Sequence, residues 1–586
     1  MAFVVPAFVA AQRDEPTFPA RAVGVSSAGL RQTFTNYWEW RLAESPELAT
    51  RVGRTEFNDR WRDWSAPARA RARAARAEFL QQVQYVAVGN LTAAEHLSAD
   101  LLQYELRSAI ESEPYPGLVQ PVSQVDGLHN EVFRTIEQMP AATVLDYENI
   151  VARLRGLPAY VDQSIAMMRE QLTAGLAQPA VTVSLMIDQV AAQGSAPPDQ
   201  SPLLAAFAAF PAGVPQADRN RLLAEARSAY SQQFVPSWKR LETFLQDTYL
   251  KAARAEVGIG TLPNGDRAYA SLIHLYTTTR TDAREIHRLG LQEVSRIENE
   301  MASVVREAGF SGSVAEFERR LRSEPSTAFS SQEEMLQYAR EVLARVEPQL
   351  SRVVTRMPRV NVGVRPIPAD REASTPSSYT AGTADGSRQA WFNMNTYRPR
   401  EQRKYPIEAL VLHETVPGHH LQVGLARELE GLPEFRKVFA ASAFSEGWAL
   451  YAESLGGDLG VYRDPATRFG QLASEQFRAV RLVVDTGIHA MGWSRDRARD
   501  YFAEHVPAQS IAEVDRYIAR PAQALAYKLG ELKIRELRRK AERELGAAFD
   551  LRGFHDAVLR NGALPLEFLD EQIDLYISVA KSNRGK

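Results

Sequence analysis

Three of the chain's 10 histidines fall within eight residues: His413, His419 and His420. Glu414 directly follows the first. Imidazole beside a carboxylate suits zinc, whose usual helical motif is His-Glu-x-x-His. In it two histidines one turn apart bind the ion, and the glutamate draws a proton from the attacking water. Here Pro417 stands four residues after His413, where the second histidine should be. On a regular helix His419 would sit about 9 Å along the axis from His413 and about 120° around it. Two bonds of about 2.0–2.1 Å to one zinc cannot be made from such positions. Pro417-Gly418 offers a resolution, because proline removes a helical hydrogen bond and crowds the preceding turn, and glycine accepts the backbone that results. A bulge of two residues there brings His419 to the place of the second histidine. His420 is the competing ligand.

A catalytic zinc site needs a third protein ligand and keeps one position open. Residues 445–453, Ser-Glu-Gly-Trp-Ala-Leu-Tyr-Ala-Glu, read as a second helix after the Gly431 to Pro433 break. Glu446 and Glu453 are two turns apart on one face. Glu446 is the expected ligand, and Glu453 either supports the ligands from behind or is a surface charge. The chain has no cysteine, so a transition metal must be held by His, Asp and Glu. Zn2+ is the expected cofactor.

Residues 413–422 and 446–453 together resemble the bacterial domain-of-unknown-function 885 family. That family is similar to helical gluzincin zinc peptidases such as angiotensin-converting enzyme, neurolysin and carboxypeptidase Taq. The likeness covers most of the chain, and its specific motifs lie between Tyr379 and Lys528. It implies a large, mainly α, cleft-containing fold with a single zinc. Gly-His pairing in related enzymes favours His419 over His420, and dipeptidyl peptidase III also tolerates an extra residue between its histidines. A late tyrosine donates to the oxyanion in these enzymes, which points to Tyr527, with Tyr517 behind it. The comparison also favours carboxypeptidase or dipeptidyl carboxypeptidase action on short peptides.

Peptide hydrolysis needs more than a metal. Glu414 is the general base by position. Arg478, Arg481, Asp485 and His489 share one stripe of a helix. His489 is a second candidate oxyanion donor, while Arg481 and Asp485 could equally form a buried ion pair. Lys528, Arg516 or Arg481 could receive a substrate carboxylate. Asn393 and Asn395 point to one face of a strand, which either pairs with an extended peptide or buttresses the metal helix.

The elements that must position these groups are helices. Apolar residues recur at three- and four-residue spacing, as in Leu291, Val294, Ile297, Met301 and Val304. Breaks fall where Pro and Gly gather, at 194–202, 211–215 and 258–265. Residues 360–364 and 390–395 alternate like short strands around a turn-rich stretch at 373–386. The expected architecture is mainly α with one small β-sheet just before the metal helix. Its parts are a signal-peptide remnant and linker over 1–20, a helical region over 21–350 forming one side of a cleft, the sheet over 351–400, and a helical catalytic region over 401–586.

With 586 residues, 45% apolar and 24% charged, the chain is an ordinary globular protein able to bury a large core. A net charge of −3 without single-sign blocks argues against a nucleic-acid or anionic-membrane surface. The run Arg69, Arg71, Arg73 and Arg76 reads as a solvated helix face. No segment approaches the ~20 apolar residues of a membrane span. The first residues, MAFVVPAFVAAQ, resemble the second half of a secretory signal, so a periplasmic or secreted location is expected ahead of a cytoplasmic one. A zinc-dependent peptidase with a peptide substrate is the functional expectation. A zinc hydrolase of a non-peptide amide or ester, or a non-catalytic peptide-binding protein, are the alternatives.

Overall fold

A computed structural model describes residues 24–113, 123–368, 372, 375–383, 386 and 388–582. The expected signal remnant, residues 1–20, lies outside them. Helix follows helix from the start, as the periodicity predicts, and the fold is mainly α. Ala28–Glu44, Ala93–Ser112 and Val144–Thr173 all begin at a Ser or Thr whose hydroxyl accepts from the backbone N–H of the third residue on. Those caps satisfy donors that a helix start would otherwise leave unpaired.

Among the described residues the buried apolar side chains form several cores, of which two are the largest. One runs from Trp61 to Tyr249 and belongs to consecutive helices of the N-terminal half. The other joins Leu30, Phe34 and Trp38 to Val364 and Phe392, to Val411 and Leu412, and to Phe444, Trp448 and Ile577. The first and last described helices, the sheet and the helices of the candidate site are thus packed into one interior.

The sheet has three strands, β1 (Val362–Pro366), β2 (Ser378–Thr380) and β3 (Ala390–Met394), in the order β1-β3-β2. Val364 pairs with Phe392 in parallel, and Tyr379 pairs with Phe392 from the antiparallel side. Ala390, Phe392 and Met394 alternate onto the core face. Strand β2 arises inside the stretch read as turns. With β3 paired on both sides, an extended peptide cannot add to it, which corrects the expectation of edge pairing there.

Five helices carry or support the candidate site: α1 (Ile407–Glu414), α2 (His419–Arg427), α3 (Ser442–Ser454), α4 (Pro465–Ala490) and α5 (Ala526–Leu545). Asp464 caps α4 by accepting from Thr467 N at 2.8 Å. Helices α3 and α5 touch backbone to backbone through Gly447 and Gly530. A β-carbon on Gly530 would collide with the Ala443 carbonyl, and one on Gly447 with Gly530 itself. No helix among the described residues is long and apolar enough to cross a membrane.

Candidate metal centre

Helix α1 is driven inward by Ile407, Ala409, Val411 and Leu412, all buried, and delivers His413 and Glu414 at its last turn. The helix stops there. Thr415 (φ −112°, ψ −118°) and Gly418 (φ −78°, ψ −130°) leave helical geometry, the Val416-Pro417 peptide is cis, and α2 begins at His419. Glycine is required at 418, because a β-carbon would strike the carbonyls of Leu412 and His413. Two bonds fasten the break. His420 N reaches five residues back to Thr415 O at 3.0 Å, and Trp448 Nε1 of α3 donates to Pro417 O at 2.8 Å.

The consequence is a convergence that a continuous helix forbids. The rings of His413 and His419 stand perpendicular with centroids 4.9 Å apart. Glu446 Oε2 lies 3.7 Å from His413 Nε2 and 3.4 Å from His419 Nε2. The three donor atoms are all within 4.8 Å of one another. Tetrahedral zinc with bonds of about 2.0–2.2 Å has ligand atoms about 3.3–3.5 Å apart, so the spacing needs only small closure. Behind the site, Glu453 Oε1 accepts a hydrogen bond from His413 Nδ1 at 2.8 Å, and His413 Nε2 lies on the Glu446 side. A carboxylate holding the far nitrogen of a histidine is the usual support of a metal ligand. Arg478 Nη2 stands 3.7 Å from the same Glu453 oxygen. The donor set therefore fits zinc.

His420, the rival, faces the other way. Its Nδ1 meets the Tyr379 hydroxyl of β2 at 3.1 Å, and burial pushes its pKa down to about 4 against a bond to the Val360 backbone.

Glu414 is buried, and burial raises its pKa while His413 and His419 pull the other way. Burial also disfavours the charged form of His413, yet the Glu446 and Glu453 carboxylates outweigh it and hold its pKa at about 9. Glu446 is held well below the carboxylate range by those histidines, against its own burial. A ligand imidazole must be neutral, so a metal competes with the His413 proton. Zinc affinity should therefore rise roughly tenfold per pH unit from about 7 towards 9. Calorimetry in buffers of different ionisation enthalpy should find a proton released on binding at pH 7. Because this folded pKa is raised, metal-free protein should hold the associated stability below about pH 6.5 and lose it through about pH 9. Affinity that does not change with pH contradicts this electrostatic account.

The remaining predicted residues divide sharply. Tyr527, on the first turn of α5, is half-buried, its ring lies 4.5 Å from the Arg481 guanidinium, and its hydroxyl has no hydrogen-bond partner among the described residues. His489 is not an oxyanion donor. Its Nε2 meets Tyr517 O at 3.0 Å and its Nδ1 accepts from Ile259 N at 3.2 Å, and burial pushes its pKa to about 3. Lys528 cannot receive a substrate, because it is fully buried and paired with Glu293, Glu475 and Glu531. Asn395 spends its side chain on Glu372 O, Thr375 O and Tyr397 N, and Asn393 on Ser378 O, Thr380 and Arg365, so both are structural. The considered Arg481–Asp485 pair is absent. Asp485 accepts from Tyr269 Oη at 2.5 Å and Ala522 N at 3.0 Å, while Arg481, Arg516 and Tyr517 gather around Glu513. Sequence reasoning did not assign Arg478 and Trp448 their places beside the site. Neither position carries a local signal beyond an apolar or amphipathic helix.

Residues 46–573 match the sequence profile of a family described as bacterial protein of unknown function (DUF885). The chain belongs to the DUF885 family. Two solved structures resemble this DUF885 protein over nearly its whole length. One is described as "the putative lipoprotein from Colwellia psychrerythraea", with 27% identity and a TM-score of 0.87, covering 94% of this chain and 99% of that one. The other, "a putative lipoprotein of unknown function from Shewanella oneidensis", is 18% identical with a TM-score of 0.72, covers 93% and 99%, and shares the fold. A search of curated proteins finds no significant match.

Proposed function

We propose that this DUF885 protein is a zinc-dependent peptidase that trims short peptides, of carboxypeptidase or dipeptidyl carboxypeptidase type. The observation that carries the reading is the convergence of His413 Nε2, His419 Nε2 and a Glu446 oxygen beside the buried Glu414. His413, His419 and Glu446 would hold the ion. Zinc, when bound, supplies a Lewis acid that polarises the scissile carbonyl.

The chain's own groups do the rest. Glu414 takes a proton from the attacking water and passes it to the leaving amine. Burial raises its pKa, the direction that suits a group holding a proton in transit. Glu453 fixes the tautomer of His413, so that Nε2 remains free for the ion. The Tyr527 hydroxyl, which has no hydrogen-bond partner among the described residues, is the proposed donor to the developing oxyanion. Glu446 and His419 keep 24% and 15% of their side-chain surface exposed, which gives the site its approach. The likeness of the interrupted His-Glu motif and its downstream glutamate to those of helical gluzincins supports the same chemistry. A periplasmic or secreted setting is part of the proposal, supported by the description of the Colwellia psychrerythraea relative and by the apolar first residues.

Chelation tests this directly. Protein dialysed against a strong chelator should lose cleavage of short peptides and regain it with one equivalent of zinc. Non-peptide amides and esters assayed alongside should be poorer substrates. Cleavage that survives chelation sinks the zinc reading, and preference for the non-peptide substrates sinks the peptidase one.

A further inference from the structure

Away from the metal ligands, three helices bring polar faces to one space. Tyr451 and Ser454 of α3, Arg468 and Gln471 of α4, and Arg535 and Arg538 of α5 line a cavity of about 360 Å³. Each pair is three residues apart and so shares one helical face. Helices in a packed protein turn apolar stripes inward. Here every described side chain in the wall is polar or charged. Tyr451 stands five residues after Glu446, about 140° around α3 from it. None of His413, Glu414, His419 and Glu446 lines the cavity, which is therefore separate from the metal centre.

The charges of the wall are unevenly spent. Its carboxylates already face cations. Glu475 takes Lys528 Nζ at 2.7 Å and pairs with Arg296 as well, and Glu300 meets Arg296 at 2.6 Å. Lys528 and Arg296 stand outside the wall, so these two carboxylates are matched from behind. The other two, Glu542 and Asp458, both lie against Arg538, at 2.9 Å from Nε and 3.6 Å from Nη1.

The arginines, by contrast, are held by one edge and open at another. Arg468 Nη1 donates to Gln471 at 2.6 Å, and Arg535 Nε donates to Glu531. Arg538 Nη1 donates at 3.1 Å to the Tyr451 hydroxyl, which in turn meets His555 Nε2 at 2.9 Å. Arg468 Nη2 stands 4.0 Å from Glu300 and Arg535 Nη2 stands 3.9 Å from Glu475, too far to donate. These nitrogens and Arg538 Nη2 have no hydrogen-bond partner among the described residues, and they are open to solvent. Arg539, one turn beyond Arg535, also lines the cavity, and its exposed side chain has no hydrogen bond or ion pair among the described residues.

Four guanidinium groups thus present unspent donors to one small cavity, three of them already fixed in place. Such groups are the usual partners of phosphate and carboxylate. A carboxylate offers two oxygens in one plane, whereas a phosphoryl group offers three and nearly two charges at pH 7. Arginines arriving from two helices suit the second. Ser454, Asp458 and Glu542 add acceptors to the same wall, which suit the hydroxyls of a ligand's body. The volume lies at the lower end of the roughly 300–1,000 Å³ of small-molecule sites.

We propose that this cavity is a second binding site, which takes the phosphoryl group of a small phosphorylated polyol on Arg468, Arg535, Arg538 and Arg539.

Calorimetry on the full-length protein tests it with ribose phosphate, ribose, inorganic phosphate and succinate. Ribose phosphate should bind, ribose should not, and the other two should bind at least about tenfold more weakly. Arg539→Gln should weaken ribose phosphate about tenfold, and Arg539→Lys should recover part of that. Arg539 is exposed and unpaired, so neither change should disturb the fold. Affinity should also fall between about pH 7.5 and about pH 5.5, as the phosphoryl group takes its second proton near pH 6. No binding of ribose phosphate, or binding unchanged in both Arg539→Gln and Arg468→Gln, overturns the site. Succinate binding as tightly overturns the phosphoryl assignment, and inorganic phosphate binding as tightly overturns the polyol. Heat of binding is the readout throughout, so the result does not depend on the zinc peptidase reading.

Discussion

Glu414→Gln should keep a full equivalent of zinc and cleave peptides roughly 10²–10⁴-fold more slowly than wild type. The substitution keeps size and an acceptor oxygen but removes the group that can hold a proton in transit. Glu414 is buried beside the ligands without being one of the three convergent donors, so the metal should not notice the change. The expected loss corresponds to about 3–5 kcal/mol of transition-state stabilisation. Folding should not suffer, because a neutral amide at a buried site costs less than the carboxylate whose pKa burial already raises. Zinc content and kcat/KM measured on one preparation decide it. A variant that binds zinc and cleaves as fast as wild type would remove Glu414 from the mechanism.

The second large effect is a contrast between neighbours. His419→Ala should lose stoichiometric zinc and with it peptide cleavage, whereas His420→Ala should keep both. His419 offers Nε2 to the same oxygen of Glu446 that His413 faces. His420 instead gives its nitrogens to Tyr379 and the Val360 backbone, so its loss should cost roughly 1–2 kcal/mol of stability and nothing at the metal. His419 is also the safer ligand to remove, since His413 is paired with the fully buried Glu453 and its deletion would strand that carboxylate. If zinc survives His419→Ala and departs with His420→Ala, the ligand assignment is inverted.

How much of this could be read from the chain itself depended on how local the cause was. The interruption at Pro417-Gly418 was legible because its cause lies within the motif: proline cannot continue the helix, and glycine alone fits under the carbonyls of Leu412 and His413. Glu446 and Glu453 were legible as one face of a helix, and the structure places Glu453 behind His413. The roles of His489, Lys528 and Asn395 were not, because each is spent on partners that no spacing reveals. His489 is tied to Ile259, 230 residues away, and Lys528 to Glu293 and Glu475. The strand order escaped for the same reason. Whether β3 is central or an edge depends on the three-residue β2 folding back, and so short a segment carries no alternation to read. The contact of Gly447 with Gly530 is likewise a pairing of distant residues, and neither glycine marks it alone.

The central claim is that two histidines on either side of a broken helix share one zinc with Glu446. Diffraction from crystals grown with zinc, with anomalous data collected on both sides of the zinc edge, tests it most directly. A single strong anomalous peak is expected about 2.0–2.2 Å from His413 Nε2, His419 Nε2 and a Glu446 oxygen. No peak among those three residues, or one bound through His420, would contradict it.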